Sequence, residues 1–333
     1  MKALVYTNPF ELKYMDCPEP VIARDEVNIQ VQAVGICGSD LHAYQGHDER
    51  RNPPLILGHE VVGIAQNGRF EGQSVIINPL ITCMRCEYCL GSKSNLCAQR
   101  ELIGMNQPGA FAEYVSVKER NCIPMEHDFN PIDAVLTEPV ATALHGINLM
   151  IHSYYRPIQE AEVLVMGGGS VGLAAALLLK SFGCQKVHLA ETNKKRFAMI
   201  KNTCDLDLID PINTQIPAAS FHCIIDAVGI EQTRKLSCQL VKVGGVILHI
   251  GLGSAKEGVD VRKLTLGEIS FIGSYTYDQL DLIAAAKALE TGKLGSLKWV
   301  DVRGLEQGSK AFSDLVSGRT EYSKIVLQPK LIH

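Results

Sequence analysis

The apolar positions follow two different patterns along the chain. In the first part, short segments alternate apolar and polar residues or form brief apolar runs between Gly, Pro and Asn, as in KALVYT, EVNIQVQAVGI, GHEVVGIA and SVIINPL. From about Asp133, strand-like runs alternate with helical ones, the strands being VLVMG, KVHLAE, CIIDAVG, GVILHIG and ISFIGS. The first pattern predicts an irregular β-rich domain, and the second predicts a parallel, doubly wound sheet, so the fold class is α/β.

The C-terminal part has a third pattern. From about Asp278 it contains a predicted helix, LDLIAAAKALETGK, and it ends in the strand-like KIVLQ, which no helix follows. This last strand could rejoin the β-rich domain. A chain of 333 residues exceeds the size at which one core usually stops growing, so we expect two domains.

Composition excludes several classes of protein. The chain is 46% hydrophobic and 20% charged, with 32 basic against 36 acidic residues, which predicts a soluble protein without a nucleic-acid or membrane partner. The N-terminal MKALVYTNPFELK alternates like a strand and carries Glu11 where a signal peptide needs an apolar region, so we expect a cytoplasmic location. Eleven cysteines, clustered and odd in number, indicate thiols and metal ligands rather than disulfides.

A glycine motif predicts a dinucleotide site. Gly167, Gly169 and Gly172 form G-x-G-x-x-G directly after a predicted strand, and Glu191 lies nineteen residues later at the end of the next strand. Such glycines allow a tight turn and a close approach of a pyrophosphate to a helix N-terminus, and the acid favours NAD over NADP. The alternative is a glycine-rich turn without a ligand. We interpret the basic run 194–196 as a solvated helix face rather than a phosphate clamp.

Four cysteines with regular spacing predict a metal lobe. They lie at spacings of two, two and seven intervening residues, at Cys83, Cys86, Cys89 and Cys97. Four thiolates close a tetrahedral zinc site and leave no open position, so the site would be structural. An iron–sulfur cluster and four unliganded thiols are the alternatives.

A second candidate metal site is more dispersed. Cys37 in GICGSDLH and His59 in LGHEVVG supply half of a catalytic zinc site, and a carboxylate such as Glu60 would be a suitable third ligand. Taken alone, however, Cys37 could be a buried small apolar residue and His59 a core histidine.

Six motifs in order carry a family resemblance. GICGSDLH, LGHEVVG, CMRCEYCLGSKSNLC, GAFAEYVSV, LTEPVATALHG and GGGSVG resemble the zinc-dependent medium-chain alcohol dehydrogenases. The Thr137-Glu138-Pro139 stretch is similar to the polyol, sorbitol and threonine dehydrogenase branch. The resemblance implies a GroES-like catalytic domain with two zinc ions at 1–140 and 275–333, and a Rossmann NAD-binding domain at 141–274.

The resemblance also implies roles for individual residues. Cys37 and His59 would bind the catalytic zinc, with Glu138 and Glu60 competing to be the carboxylate ligand, and Asp40 would orient His59. Ser39 and His42 would relay the proton. The remaining contacts, made to the nicotinamide, would come from Thr142, Gly251 and Ser274.

The implied activity is hydride transfer from a secondary alcohol to NAD. The substrate would be a polyol or sugar-derived compound, sugar acids and sugar phosphates included, and a homodimer or homotetramer is expected. Ala43 replaces the tyrosine of the sorbitol branch, which argues against sorbitol. Arg50 and Arg51 could bind an anionic substrate, but we favour a solvated loop for both.

Three other functions remain as alternatives at this stage. The first is a threonine-type amino-alcohol dehydrogenase. The second, from another class, is a zinc-ribbon binding module, although the acidic chain does not favour it. The third is a catalytically silent relative without its metal, against which the intact Cys37, His59 and Glu138 argue.

Overall fold

Short strands separated by turns build the first part of the chain. The computed structural model describes residues 1–126 and 129–330. Strands such as Glu26–Gly35 alternate buried and partly exposed residues, as a half-buried sheet requires. The elements are β1 (Lys2–Asn8), β2 (Glu11–Asp16), β3 (Glu26–Gly35), α1 (Gly38–Tyr44), β4 (Leu55–Ile56), β5 (Glu60–Ala65), β6 (Ser74–Ile77), β7 (Leu80–Ile81), α2 (Glu87–Leu90), β8 (Glu101–Leu102), β9 (Tyr114–Lys118) and β10 (Cys122–Pro124), with 3-10 turns at Ser94–Leu96 and Glu119–Asn121.

Strands and helices alternate in the second part of the chain. Its six strands pair in parallel in the order β13-β12-β11-β14-β15-β16, which is the doubly wound arrangement that the sequence predicts. The elements are α3 (Pro131–Ala134), α4 (Thr137–Ser153), a 3-10 turn (Ile158–Glu160), β11 (Glu162–Met166), α5 (Ser170–Ser181), β12 (Lys186–Ala190), α6 (Lys194–Thr203), β13 (Asp207–Ile209), β14 (Phe221–Asp226), α7 (Glu231–Leu240), β15 (Val241–His249), α8 (Val261–Leu266) and β16 (Ser270–Gly273).

The C-terminal part returns to the first sheet. Its last strand pairs antiparallel with β3, Val326 lying opposite Gly35, so the first-part sheet runs β10-β6-β5-β3-β18-β17 with β9 also on β3. Two small sheets, β2-β1-β4 and β7-β8, complete the strands of the described residues. The domain boundaries at residues 140 and 275 stay a prediction. The elements are α9 (Gln279–Glu290), β17 (Val300–Gly304), a 3-10 turn (Leu305–Gln307), α10 (Gly308–Val316) and β18 (Lys324–Gln328).

Helix α4 packs in the largest core cluster and carries part of the site. Val140, Leu144 and Ile147 on this helix are buried with Val163 and Val165 of β11. The run Pro131–Ser153 is long and apolar enough to cross a membrane, but 72% of the tested window is buried inside the molecule. That burial is typical of a core helix, and it fixes the first turn of α4 close to the first-part sheet.

Candidate active site

The glycine motif forms a tight turn between β11 and α5. Gly167 adopts φ +97°, and a Cβ at Gly172 would lie 2.0 Å from the carbonyl oxygen of Gly167. A Cβ at Gly169, in contrast, would meet nothing within 4 Å. The first and third positions therefore need glycine for the turn and for packing, and the second leaves the helix N-terminus open to a pyrophosphate.

Glu191 follows β12 and lies against this turn. Its carboxylate accepts hydrogen bonds from the backbone N–H of Gly168 at 3.0 Å and of Asn193 at 2.6 Å, and Arg196 pairs with it at 3.2 Å. Glu191 is buried, so its side chain is held in place beside the cradle. This position fits an acid that binds the ribose of NAD.

The basic run after Glu191 is exposed at Lys194 and Lys195, as predicted, and differs from a solvated face at Arg196. Arg196 is only partly exposed, and its Nε donates to the carbonyl of Tyr322 at 3.4 Å; Nζ of Lys195 donates to that of Arg319 at 3.3 Å. These bonds connect α6 to the C-terminal part of the chain. The prediction missed them because the contacts span more than a hundred residues.

The four predicted lobe cysteines lie together. The sulfur atoms of Cys83, Cys86, Cys89 and Cys97 all lie within 4.8 Å of one another, and those of Cys86 and Cys89 are 3.5 Å apart. Backbone N–H groups, that of Arg85 first, stabilise the Cys83 thiolate and lower its pKa. An all-thiol set of this kind fits one structural zinc ion.

Cys37, His59 and Glu60 form a second cluster. One possible ligand atom from each lies within 4.8 Å of the others. Asp40 is fully buried, accepts a hydrogen bond from the backbone N–H of Cys37 at 3.0 Å and lies 3.4 Å from Nδ1 of His59. Since Asp40 faces Nδ1, Nε2 is the ring nitrogen left for a metal.

Charges in this cluster depend on one another. Burial opposes ionisation of Asp40, but the neighbouring His59 outweighs it and lowers the pKa of this carboxyl. Burial likewise opposes the charged imidazole of His59, whereas Asp40 and Cys37 together raise its pKa well above the usual range.

Lys324 is a buried partner of Glu60. Its Nζ forms an ion pair with Oε2 of Glu60 and donates to the carbonyl of Ile36 at 3.0 Å, and both charged side chains are fully buried. A Cβ at Gly35 would lie 2.0 Å from Oε2 of Glu60, so only glycine leaves room for the pair. Oε1 of Glu60 has no hydrogen-bond partner within residues 1–126 and 129–330. A buried carboxylate oxygen without a partner fits a metal ligand.

Glu138 lies beside the cluster, in the first turn of α4. It is buried, and so is the side chain of the neighbouring Tyr277. Burial raises the pKa of Glu138 to about 7, and burial with the neighbouring Glu138 raises the pKa of Tyr277 well above its usual range. The three-residue cluster contains Glu60 rather than Glu138. The carboxylate ligand of the zinc, Glu60 or Glu138, stays a prediction.

One pocket of about 320 Å³ brings the other predicted residues to the cluster. Cys37, His59 and Glu138 form part of its wall, and the glycine-turn helix contributes Val171. Its lining also includes the five residues predicted for the proton relay and the nicotinamide contacts: Ser39, His42, Thr142, Gly251 and Ser274. The structure thus gathers these residues in one place, and their individual roles stay predictions.

Arg51 is not on a solvated loop, so that prediction was wrong for this residue. Its side chain is 0% exposed. The guanidinium donates to Asp48, to the carbonyl of Gly104 at 3.0 Å and to Oγ of Ser39 at 3.2 Å. Arg50, in contrast, is 55% exposed at the side chain. Hydrogen-bond partners distant in sequence bury Arg51, which no local pattern indicates.

A hydrogen-bonded network links the lobe to the pocket. Buried Asn95 in the lobe donates to the carbonyl of Tyr275 at 2.9 Å and lies 3.4 Å from Nε2 of His145, which pairs with Asp281 at 2.6 Å. Arg100 stacks over the ring of Tyr275, 4.6 Å from its centroid. Because Tyr275 lines the pocket, the lobe supports part of its wall.

The comparisons with known proteins agree with this site. The family model for the alcohol dehydrogenase GroES-like domain matches residues 23–127, and that for zinc-binding dehydrogenases matches residues 170–291. The chain belongs to the zinc-dependent medium-chain alcohol dehydrogenases. The chain is therefore an oxidoreductase, and the predicted reaction class and the prediction of zinc and a nicotinamide cofactor agree with the family. Solved structures with this fold hold NADH or NADP.

Individual dehydrogenases match most of this chain. L-galactonate-5-dehydrogenase of Escherichia coli K12 is 29% identical over 308 residues, 88% of each chain. D-arabinitol dehydrogenase 1 of Uromyces fabae is 30% identical over 314 residues, 88% of this chain and 87% of the relative. A solved Escherichia coli CFT073 alcohol dehydrogenase, complexed with NADH, shares the fold at a TM-score of 0.87 and 24% identity, covering 98% and 99% of the two chains.

Proposed function

We propose that this dehydrogenase oxidises a secondary hydroxyl group of a polyol or sugar-derived compound, sugar acids and sugar phosphates included, with NAD as the hydride acceptor. The carbinol carbon gives its hydride to the nicotinamide, the hydroxyl proton goes to solvent, and a ketone and NADH result. The observation that carries the proposal is the single pocket in which Cys37, His59 and Glu138 meet residues at the carboxyl ends of the parallel strands.

The residues present fit the two implied zinc ions. Cys37 and His59, with Glu60 or Glu138, would hold one, and the four lobe cysteines would hold the other. When bound at the first site, zinc supplies Lewis acidity that lowers the pKa of a substrate hydroxyl. Asp40 keeps His59 in the orientation that this site needs.

The side chains around the pocket have separate tasks in this proposal. The hydroxyl of Ser39 takes the substrate proton, and His42 at the pocket wall passes it to solvent. Arg51 donates to Oγ of Ser39, which leaves the Ser39 hydrogen free to point elsewhere. Thr142, Gly251 and Ser274 hold the nicotinamide against the reacting carbon.

The test is a screen of the purified, zinc-loaded protein by NADH absorbance. The panel contains polyols, sugar acids, sugar phosphates and L-threonine, each with NAD and with NADP. We expect turnover of at least one sugar-derived alcohol with NAD, and two zinc ions per chain by metal analysis. Turnover of L-threonine alone would contradict the proposal.

The threonine-type alternative is less well supported by the pocket. L-threonine carries an ammonium group, which a carboxylate would have to bind. Within the described chain, Glu138 is the one carboxylate that lines the pocket, and the proposal already assigns it to the metal site. The zinc-ribbon alternative is not supported either, because the family consists of dehydrogenases.

A further inference from the structure

Two arginines share one carboxylate at the wall of the pocket. We call Asp48, Arg50 and Arg51 the arginine corner. Asp48 accepts hydrogen bonds from Nε of Arg50 at 2.8 Å, from Nη2 of Arg50 at 3.0 Å, and from Nη1 of Arg51. Burial opposes ionisation of Asp48, but the hydrogen bonds from Arg50 outweigh it and hold its pKa at about 2. At neutral pH the corner therefore carries two positive charges and one negative charge.

The two arginines differ in what surrounds them. Arg51 is fully buried, and each of its three guanidinium nitrogens donates to a protein acceptor. Arg50 is 55% exposed, and its side chain bonds to Asp48 alone within the described residues. Nε and one N–H of Nη2 of Arg50 are taken by Asp48, so Nη1 and the second N–H of Nη2 are the donors left for a ligand. Because Arg51 is buried, Arg50 is the arginine that presents the net positive charge of the corner to solvent. A guanidinium in this state suits bidentate binding of a carboxylate or a phosphate.

Apart from Glu138, no acid lines this pocket within the described residues. Arg50 and Arg51 line the pocket together with His42, Leu102, Met105 and Tyr275, none of which is an acid. Burial lowers the pKa of His42, and the charge of His47 acts in the same direction. An anionic group on the substrate would meet the net positive charge of the arginine corner, where two arginines share the one carboxylate of Asp48.

We propose that the arginine corner is an anion subsite, and that Arg50 binds a carboxylate or phosphate carried by the sugar-derived substrate. This inference rests on the proposed function, because it names the class of alcohol that the same pocket prefers. Arg51 is a positioning residue here: it pairs with Asp48, and it holds Ser39 through its third nitrogen. Arg50 is exposed, as predicted, and the proposal adds a binding role to it.

The experiment compares three alcohols that share one carbon skeleton: galactitol, galactonate and galactitol 1-phosphate. We expect kcat/KM with NAD to be at least about 10-fold higher for one of the anions than for galactitol, and the two anions distinguish a carboxylate from a phosphate. Arg50→Gln should lower kcat/KM for the preferred anion about 10- to 100-fold, the size of a lost charge-assisted hydrogen bond. In the same variant, kcat/KM for galactitol should change less than about twofold, since galactitol makes no ionic contact with Arg50.

Controls separate charge from folding. Arg69→Gln removes an exposed arginine from the turn between β5 and β6, away from the pocket lining. It should leave kcat/KM unchanged for all three alcohols. Arg50→Lys should keep part of the preference, because the charge remains while the bidentate geometry is lost.

A binding measurement distinguishes this inference from the proposed function. Isothermal titration of the NADH complex with each anion should show binding that is about 10-fold weaker in Arg50→Gln. If the anions bind in this way and no alcohol is oxidised, the anion subsite stands and the proposed function fails. If galactitol is used as well as both anions, or if Arg50→Gln lowers all three substrates equally, the anion subsite is wrong.

Discussion

The four-cysteine lobe and the Cys37 cluster are built in different ways. The lobe takes all its donors from one loop, Cys83–Cys97, and three of its four cysteines are partly exposed. The cluster combines the N-cap of α1 with residues at the start of β5, and β18 supplies the buried Lys324 that holds Glu60. A donor set made from one loop needs only a turn to form, whereas the cluster needs the whole first-part sheet.

The difference also separates stability from chemistry. Four thiolates would fill every position around a tetrahedral zinc ion, so we propose that the lobe stabilises the fold and takes no part in the reaction. The cluster combines a thiol, an imidazole and a carboxylate, and it adjoins a pocket. Within the described residues, the buried Oε1 of Glu60 has no hydrogen-bond partner. Closely spaced cysteines therefore do not by themselves mark the proposed reacting site.

The largest effect is expected at the cluster. Cys37→Ser removes the thiolate, so we expect the catalytic zinc to be lost and kcat to fall by about 1,000-fold or more, several kcal/mol of transition-state stabilisation. Metal analysis should find one zinc ion per chain instead of two, and the circular dichroism spectrum should be unchanged. Cys17→Ser, a partly exposed thiol outside both sites, is the matched control. Retention of both zinc ions with less than a tenfold loss of kcat would contradict the assignment.

Removing a lobe cysteine should lower stability far more than it lowers kcat. Cys83→Ser should release the lobe zinc and lower the melting temperature by about 5 °C or more, because metal binding contributes directly to folding there. The catalytic zinc should remain, and kcat measured well below the new melting temperature should fall far less than in Cys37→Ser. A folded variant that keeps its catalytic zinc but has no activity would show that the lobe is more than structural.

Sequence reasoning succeeded wherever the information was local. The lobe cysteines and the glycine turn could be predicted from spacing, because neighbouring residues on one loop or turn must lie together. Cys37 and His59 were predicted from the residues as half of a catalytic zinc site, and the family resemblance added Glu138 and Glu60 as competing carboxylates. Lys324, Tyr277 and Asn95 were missed. Lys324 contacts Ile36 across 288 positions, and only the strand order of the assembled sheet places it there. The burial of Arg51 was missed for the same reason.

The cofactor site has both local and distant parts: its glycines lie in one turn, and its acid, Glu191, follows the next strand. Glu191→Ala should raise KM for NAD about 10-fold and reduce the discrimination against NADP, because the carboxylate that would bind the ribose and repel a 2′-phosphate is gone. Glu160→Ala, at an exposed acid just before β11, should change neither value. An unchanged ratio of kcat/KM for NAD and NADP would overturn the role assigned to Glu191.

The smallest effect should appear where the two regions touch. Asn95→Ala removes the donor to the carbonyl of Tyr275, whereas the stacking of Arg100 on the ring of that residue remains. We expect KM for the substrate to rise about 5-fold, the size of one lost neutral hydrogen bond, while kcat stays within about twofold. The chain should still bind two zinc ions, because Asn95 is not a ligand.

This last variant needs a control inside the lobe. Ser94→Ala alters the neighbouring, half-buried residue of the same 3-10 turn and should leave KM unchanged. Combining Asn95→Ala with Tyr275→Leu should raise KM no more than Tyr275→Leu alone, because Asn95 acts on the pocket through Tyr275. If Asn95→Ala instead lowers kcat and the melting temperature while KM stays constant, the lobe stabilises the fold and does not shape the pocket.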